Sequence, residues 1–243
     1  MIQSQTYTIK LTKKILVAKD TYSFYFKRPK EFNFISGQYN RWTLPINATD
    51  GRGSSRFFTI SSPPSEKESL VVTTKIIQSD FKNALLNLEV GQEIKIFGPM
   101  GQFIIDETHQ TDHVFIAGGI GITPFYSMLM DASTKKSNKK LTLLASFSTT
   151  DEIIFLNELE KASTLYDQIN VVYTITQPQK SQTPWDGQTG RISEELIKKY
   201  VNDIPTSIFY IVGPPSMVEE IQTLLKKMNV PNKNIKTEQF TGY

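Results

Sequence analysis

The stretch Val114–Pro124, Val-Phe-Ile-Ala-Gly-Gly-Ile-Gly-Ile-Thr-Pro, most constrains what this chain can fold into. It opens as a short apolar run, the pattern of a strand buried on both faces. It then breaks into three glycines within four residues, and Pro124 leads into a second apolar run, Phe125 to Met130. Proline suits the first turn of a helix, where its missing N–H has no partner to lose. The order read is therefore strand, glycine turn, helix. Such a turn gathers backbone amides and the positive end of a helix dipole at one point, a setting for phosphate. Proline stands where the full dinucleotide fingerprint has its third glycine, so a tight turn without a ligand is the competing reading.

The chain beyond Asp106 repeats that grammar. Leu141 to Phe147 leads to a helix over Asp151 to Ser163, capped by Thr150 or Asp151. Asn170 to Thr176 leads, after a long polar loop, to Ser193 to Tyr200. Ile208 to Val212 leads to Pro215 to Met228, and Ile235 to Glu238 closes the series. Strand–helix alternation specifies a parallel sheet with helices on both faces, with ligands at the carboxyl ends of its strands. Gly118, Gly119, Gly121 and Thr123 lie at such an end, as do Gly213 to Met217, Ser146 to Thr150, and Thr176 with Gln177. The basic loop Lys135 to Lys140 precedes a strand, so it is a solvated turn at the opposite edge.

The first part of the chain has another texture. Thr6 to Val17, Tyr22 to Lys27, Gly37 to Leu44, Arg56 to Ser61, Leu70 to Ile77 and Glu93 to Phe97 are short, β-rich and split by turn residues. Six such strands point to an antiparallel sheet closing into a small barrel. Asn47 to Ser55 is a polar, glycine-bearing loop. Ser79 or Asp80 can cap a short helix whose first-turn amides, with Lys82, would hold an anion; Phe81, Leu85 and Leu88 can equally plug the barrel end. In Arg56-Phe57-Phe58-Thr59, Arg56 and Phe58 share one face and Phe57 and Thr59 the other. Arginine is the bidentate partner of phosphate, an aromatic ring offers a stacking surface, and a hydroxyl offers a hydrogen bond. A rim arginine with no ligand is the alternative reading of that strand. The expected architecture is thus two domains, residues 1–107 and 108–243.

Composition narrows the chemistry. The 243 residues include no cysteine, which removes disulfides, thiolate metal sites, cysteine nucleophiles and a thiolate-bound iron–sulfur cluster within this chain. With His109 and His113 as the only histidines, a multi-histidine metal site is not expected, nor is a histidine acid–base pair. A net charge of +3 is too slight for a nucleic-acid footprint. The excess lies in residues 1–107, which suits a phosphorylated cofactor or an acidic partner. No apolar run approaches a membrane span and no leader is visible at the N-terminus, so a cytoplasmic protein is expected.

Taken together, these stretches resemble the ferredoxin–NADP reductase superfamily of flavoproteins over nearly the whole chain. Arg56-Phe57-Phe58-Thr59 is similar to its Arg-x-Tyr-Ser motif, and Gly98-Pro99-Met100-Gly101-Gln102-Phe103 to its Gly-Pro-x-Gly-x-Phe stretch. Gly118 to Pro124 matches its glycine motif, and Trp185 to Ile192 its Trp-x-Gly-x-x-Gly-Arg-Ile segment. Gly213-Pro214-Pro215-Ser216-Met217 matches Gly-Pro-Pro-x-Met, and Glu238 to Tyr243 the C-terminal Glu-x-Phe-x-Gly-Tyr. The resemblance implies a flavin-binding six-stranded antiparallel barrel followed by an α/β nucleotide-binding domain. It implies that Arg56 holds the flavin pyrophosphate, that Phe58 packs on the flavin with Tyr39 flanking, and that Thr59 hydrogen-bonds near N5. Thr74, Lys75, Phe81 and Lys82 would line the diphosphate side. Gly119, Gly121, Thr123 and Pro124 would cradle the nicotinamide nucleotide, with Gly213, Pro214 and Met217 closing that pocket. Phe240 would cover the flavin face, with Glu238 beside it. Three departures stand out: Phe58 lacks the family hydroxyl, Thr59 keeps one, and Val212 replaces the cysteine before Gly213.

The implied activity is hydride transfer from NADH or NADPH to FAD, then single-electron transfer to a separate ferredoxin, flavodoxin, haem or oxygenase component. At the turn after Phe147 no base is present to meet a 2′-phosphate and Asp151 and Glu152 follow, which tilts toward NADH, although Lys180 and Arg191 lie in the following loop. A free flavin reductase or diaphorase, a non-catalytic nucleotide-binding module, and a subunit of a larger respiratory or synthase complex are the competing readings.

Overall fold

The computed structural model describes residues 3–107 and 111–240. His109 and the end of the Glu238–Tyr243 motif lie outside them. The first six strands are β1 (Gln5–Ala18), β2 (Thr21–Lys27), β3 (Tyr39–Thr43), β4 (Ser55–Thr59), β5 (Ser69–Lys75) and β6 (Glu93–Met100), with helix α1 (Asp80–Asn87) between the last two. They form one antiparallel sheet in the order β4-β3-β6-β1-β2-β5. Period-two alternation sets its inside. Tyr7, Ile9 and Leu11 are buried while Thr6, Thr8 and Lys10 face solvent. Register shifts in β1 around Thr12 and Val17 bend the longest strand, so that it pairs with β6 along its first half and with β2 along its second. The enclosed core is aromatic: Phe24, Phe26, Phe32, Trp42 and Phe81 are fully or almost fully buried together. Beyond β4, the Ser61 N–H donates to the Val71 carbonyl of β5 at 2.9 Å, which ties the two ends of the strand order together.

After β7 (His113–Gly118) come α2 (Thr123–Lys135), β8 (Leu141–Phe147), α3 (Leu156–Leu165), β9 (Ile169–Ile175) and β10 (Gln188–Thr189). The chain continues through α4 (Glu194–Tyr200), β11 (Ile208–Gly213), α5 (Pro215–Lys227) and β12 (Ile235–Gln239). These strands make a parallel sheet in the order β10-β9-β8-β7-β11-β12. Every residue of β7 and β11 is buried, because helices cover both faces. Phe125, Leu129 and Leu159 of α2 and α3 pack on one side. Ile197, Val218, Ile221 and Leu225 of α4 and α5 pack on the other. The chain runs outward from β7 to β8 and β9, then returns to place β11 on its other side. The switch point therefore lies between β7 and β11, where an open α/β sheet leaves a crevice.

Two local expectations are corrected. The helix expected from Asp151 starts at Leu156, because the caps are engaged elsewhere: Asp151 accepts the Gln182 N–H at 3.2 Å and Thr150 Oγ1 accepts the Thr183 hydroxyl at 2.9 Å. A 3-10 turn over Thr150–Glu152 fills the gap. The polar loop after β9 also contains the short strand β10, held to β9. No helix among the described residues is long and apolar enough to cross a membrane.

Candidate functional site

A cavity of about 560 Å³ opens between the two sheets. Its floor is β4. This strand has β3 on one side and ends the sheet on the other, so side chains from both of its faces reach the cavity: Arg56, Phe57, Phe58 and Thr59 all line it. Trp42 Nε1 donates to the Phe58 carbonyl at 3.3 Å and anchors the strand from the core. Phe58 packs 5.8 Å from Phe81, and Tyr39 meets Phe57 edge-on at the same spacing.

Arg56 is held in advance. Its Nη1 donates to the carbonyls of Arg52 (2.7 Å), Gly53 (3.0 Å) and Ser55 (2.7 Å), so the loop before β4 wraps the guanidinium. That loop is pinned in turn by Asp80, which accepts the Thr49 N–H and hydroxyl and the Asp50 N–H. The Phe81 ring supports the guanidinium from 5.3 Å. The other nitrogen, Nη2, is buried and has no hydrogen-bond partner among the described residues; Asp50 Oδ2 is 3.7 Å away. A buried donor without an acceptor is costly, and an anionic ligand would satisfy it.

Lys82 lines the same wall and is 6% exposed. Burial, and then the charges of Arg52 and Arg56, lower its ammonium to about 8. Three cations held together in a partly closed space form a receptor for phosphate oxygens. The backbone of α1 contributes less than its capping pattern implies. Ser79 Oγ already accepts the Lys82 N–H and Asp50 accepts the Asp80 N–H, so the anion site rests on side chains.

The opposite wall comes from the parallel sheet. Ile120 and Thr123, in the turn after β7, line the cavity, as do Glu238, Gln239 and Phe240 at the end of β12. Burial raises the Glu238 carboxyl to about 7. The Phe240 N–H donates to the Gly213 carbonyl at 3.1 Å, which fixes the chain leaving β12 against the end of β11. Behind this wall the glycines meet. A methyl group on Gly121 would sit 2.5 Å from the Val212 carbonyl oxygen, so the turn after β7 lies directly on β11. Gly119 adopts φ +54° with open space where a side chain would be.

The structure thus brings Tyr39, Arg56, Phe58, Thr59, Thr74, Lys82, Thr123, Glu238 and Phe240 into one cavity. Gly119, Gly121, Pro124, Gly213, Pro214 and Met217 gather at the adjoining ends of β7 and β11 without lining it. Two expected residues stand apart: Phe81 is fully buried beneath Phe58 and Arg56, and Lys75 turns to Glu152. Arg52, Ser55, Phe57, Thr73, Ser79, Ile120 and Gln239 also line the cavity, and sequence reasoning misses them. The polar loop ahead of β4, with an arginine four residues before Arg56, is the one signal that points to Arg52.

Two family descriptions match the chain in succession: oxidoreductase FAD-binding domain over residues 8–105, and oxidoreductase NAD-binding domain over residues 115–223. The glycine betaine monooxygenase reductase subunit of Chromohalobacter salexigens is 28% identical over 222 residues, covering 90% of this chain and 60% of that protein. The chain spans between 44% and 60% of the length of the curated relatives it matches first. Among solved structures, the Amycolatopsis cytochrome P450 reductase GcoB superposes with a TM-score of 0.83 at 19% identity, over 98% of this chain and 71% of that one. Ferredoxin–NADP+ reductase from Plasmodium falciparum superposes with a TM-score of 0.77 at 23% identity, over 97% and 96%. At these identities the superpositions show the shared fold.

Proposed function

We propose that this chain, whose two parts match oxidoreductase FAD-binding and NAD-binding domains, is a member of the ferredoxin–NADP reductase superfamily and acts as a flavin-dependent NAD(P)H oxidoreductase serving a separate acceptor protein. The observation that carries the reading is the single cavity shared by Arg56, Phe58 and Thr59 from one sheet and Thr123, Glu238 and Phe240 from the other. A flavin and a nicotinamide must meet face to face, so their two binding domains must share one space.

Bound flavin supplies hydride acceptance at N5 and the release of electrons one at a time, chemistry that side chains lack. The residues present fit it. The unsatisfied Arg56 Nη2 and the depressed Lys82 ammonium would take the diphosphate, with Thr74 beside them. Phe58 and Tyr39 would present aromatic surface to the ring system, and the Thr59 hydroxyl a hydrogen bond near its reactive edge. Thr123, with the Gly119–Gly121 turn, would hold the nucleotide phosphates. Gly213, Pro214 and Met217 back that turn. Phe240 would cover the flavin face and exclude water until nicotinamide takes its place. Glu238 keeps a proton near neutrality on that wall.

We favour NADH as donor. Glu152 accepts the Ser148 N–H at 3.3 Å, which puts a carboxylate at the carboxyl end of β8, where a 2′-phosphate would need a base. Arg191 is engaged by Glu220 at 3.0 Å. The relative named as a monooxygenase reductase subunit supports an oxygenase component as acceptor. We further read the antiparallel sheet as a closed barrel, on the strength of the Ser61–Val71 bond, and place the domain division at residue 107.

The test is a visible spectrum of the purified protein, followed anaerobically as NADH or NADPH is added. The expected result is flavin bands that survive gel filtration and bleach faster with NADH. A colourless protein that takes up no added FAD would overturn the proposal. Flavin lost on gel filtration would turn it into a free flavin reductase.

A further inference from the structure

A second cavity, of about 590 Å³, lies between the sheets, and no residue lines both it and the first. Its walls are Ser23, Tyr25 and Val71 from β2 and β5, Tyr126 and Met130 from α2, and the Ile153–Glu158 segment entering α3. Tyr126 and Phe155 stack face to face, with ring centroids 3.9 Å apart and planes 13° from parallel. Phe155 sits at φ +61°, a left-handed backbone that a bulky side chain rarely adopts. Strain of this kind persists where the surroundings fix it, and it clusters at binding sites. Here it presents the stacked pair to the cavity.

The charge of the lining has one sign. Glu66 and Glu158 are its only ionisable acids or bases apart from the tyrosines, and no Lys, Arg or His is among the lining residues. Burial, and then the Glu158 carboxylate, hold the Tyr25 and Tyr126 hydroxyls in their neutral form. Outside the lining, Lys13 already rests its ammonium 5.4 Å over the Tyr25 ring. The volume falls in the range of small-molecule sites. Aromatic faces beside carboxylates attract a cation with an apolar body and gain nothing from an anion.

We propose that this cavity binds a small organic cation with an aromatic or alkyl body, held by the Tyr126–Phe155 stack, Tyr25 and the Glu158 carboxylate. The site is independent of the flavin reading, since it shares no lining residue with the first cavity. Its occupant would touch β2 and β5 on one side and α2 and α3 on the other.

The test is calorimetric titration of the FAD-loaded chain with benzyltrimethylammonium, compared with the neutral 4-tert-butylbenzyl alcohol. The cation should bind saturably at one site, about tenfold tighter than the neutral probe, and saturating NADH should leave the titration unchanged. Glu158→Gln, at an exposed helix position, should weaken the cation about fivefold and leave the neutral probe alone; Tyr126→Leu should weaken both. The proposal is overturned if no saturable binding is seen, or if cation and neutral probe bind equally. It is also overturned if NADH displaces the cation, or if both variants melt normally and bind it as before.

Discussion

The two walls of the shared cavity are built on opposite principles. On the β4 side, the lining is made of side chains, to which we assign flavin recognition: Arg56, Phe58 and Thr59 come from an edge strand and Lys82 from the neighbouring helix, and the Phe58 carbonyl and Lys82 N–H are taken up in holding them. On the β7 and β11 side, the wall itself is Ile120, Thr123, Glu238, Gln239 and Phe240, and what sets its position is backbone packing at the glycines behind it. The turn at Gly119 to Gly121 comes so close to Val212 that a single methyl group does not fit. The first wall should tolerate a substitution and lose its ligand. The second should lose its shape before its ligand is at issue.

That contrast is broken most strongly at Arg56. Removing a charged donor from a phosphate costs about 1.5–3 kcal/mol per hydrogen bond, so Arg56→Ala should weaken FAD binding about 100-fold. Fluorescence titration of the refolded apoprotein would measure it, and NADH binding should survive. Full flavin content in the purified variant would show that the side-chain wall is misassigned. Gly121→Ala probes the other wall. Overpacking against backbone costs about 1–3 kcal/mol, so its melting temperature should fall by several degrees even with FAD present. A variant that melts normally yet loses NADH would place Gly121 in direct contact with the nucleotide.

Smaller effects sharpen the same contrast through protons. The folded Lys82 is depressed to about 8, so above that pH the ligand-free cavity carries a neutral amine. Binding a diphosphate restores the charge. Association with FAD at pH 9 should therefore take up a proton and be weaker than at pH 7, and Lys82→Met should abolish the uptake, as calorimetry in two buffers would reveal. Glu238 is raised to about 7, so the folded state favours its protonated form. Stability is lost as pH rises from the ordinary carboxyl range through 7, where the unfolded chain ionises first. Glu238→Gln should raise the melting temperature by a few degrees at pH 8 and leave it unchanged at pH 4. An equal gain at both pH values would point to packing instead of charge.

Much of this molecule was legible in its sequence because local signals and tertiary structure agree. Ser79 reads as a cap and caps α1 through the Lys82 N–H. The apolar runs of β7 and β11 read as doubly covered strands, and they are. Legibility failed where a side chain serves a distant partner. Lys75 follows Thr74 in an alternating strand, yet it turns to Glu152, 77 positions on, and Asp151, an expected cap of α3, accepts instead from the Gln182 N–H. Strand alternation puts Phe57 on the face away from Arg56 and Phe58, yet all three line the cavity. The end of a sheet offers both faces of its last strand to one space, and nothing in the spacing says which strand comes last. The second cavity had no signal at all, since its lining comes from separate segments that only the folded chain assembles.

The position of β4 at the end of its sheet has a further consequence, for the life of the protein before it meets its cofactor. Along Ser55–Thr59 the strand ladder reaches only β3, and bonding toward β5 begins at Ser61; a border so lightly paired beside an exposed ring, here Phe57 at 63%, is one on which a second chain can add a strand. Arg52, exposed in the loop that leads into β4, places a charge beside that border, the kind of residue that discourages such pairing. A flavin seated there would shield the same border from self-association. On that account the flavin would also guard solubility, and the flavin-free chain should be the form more prone to aggregate.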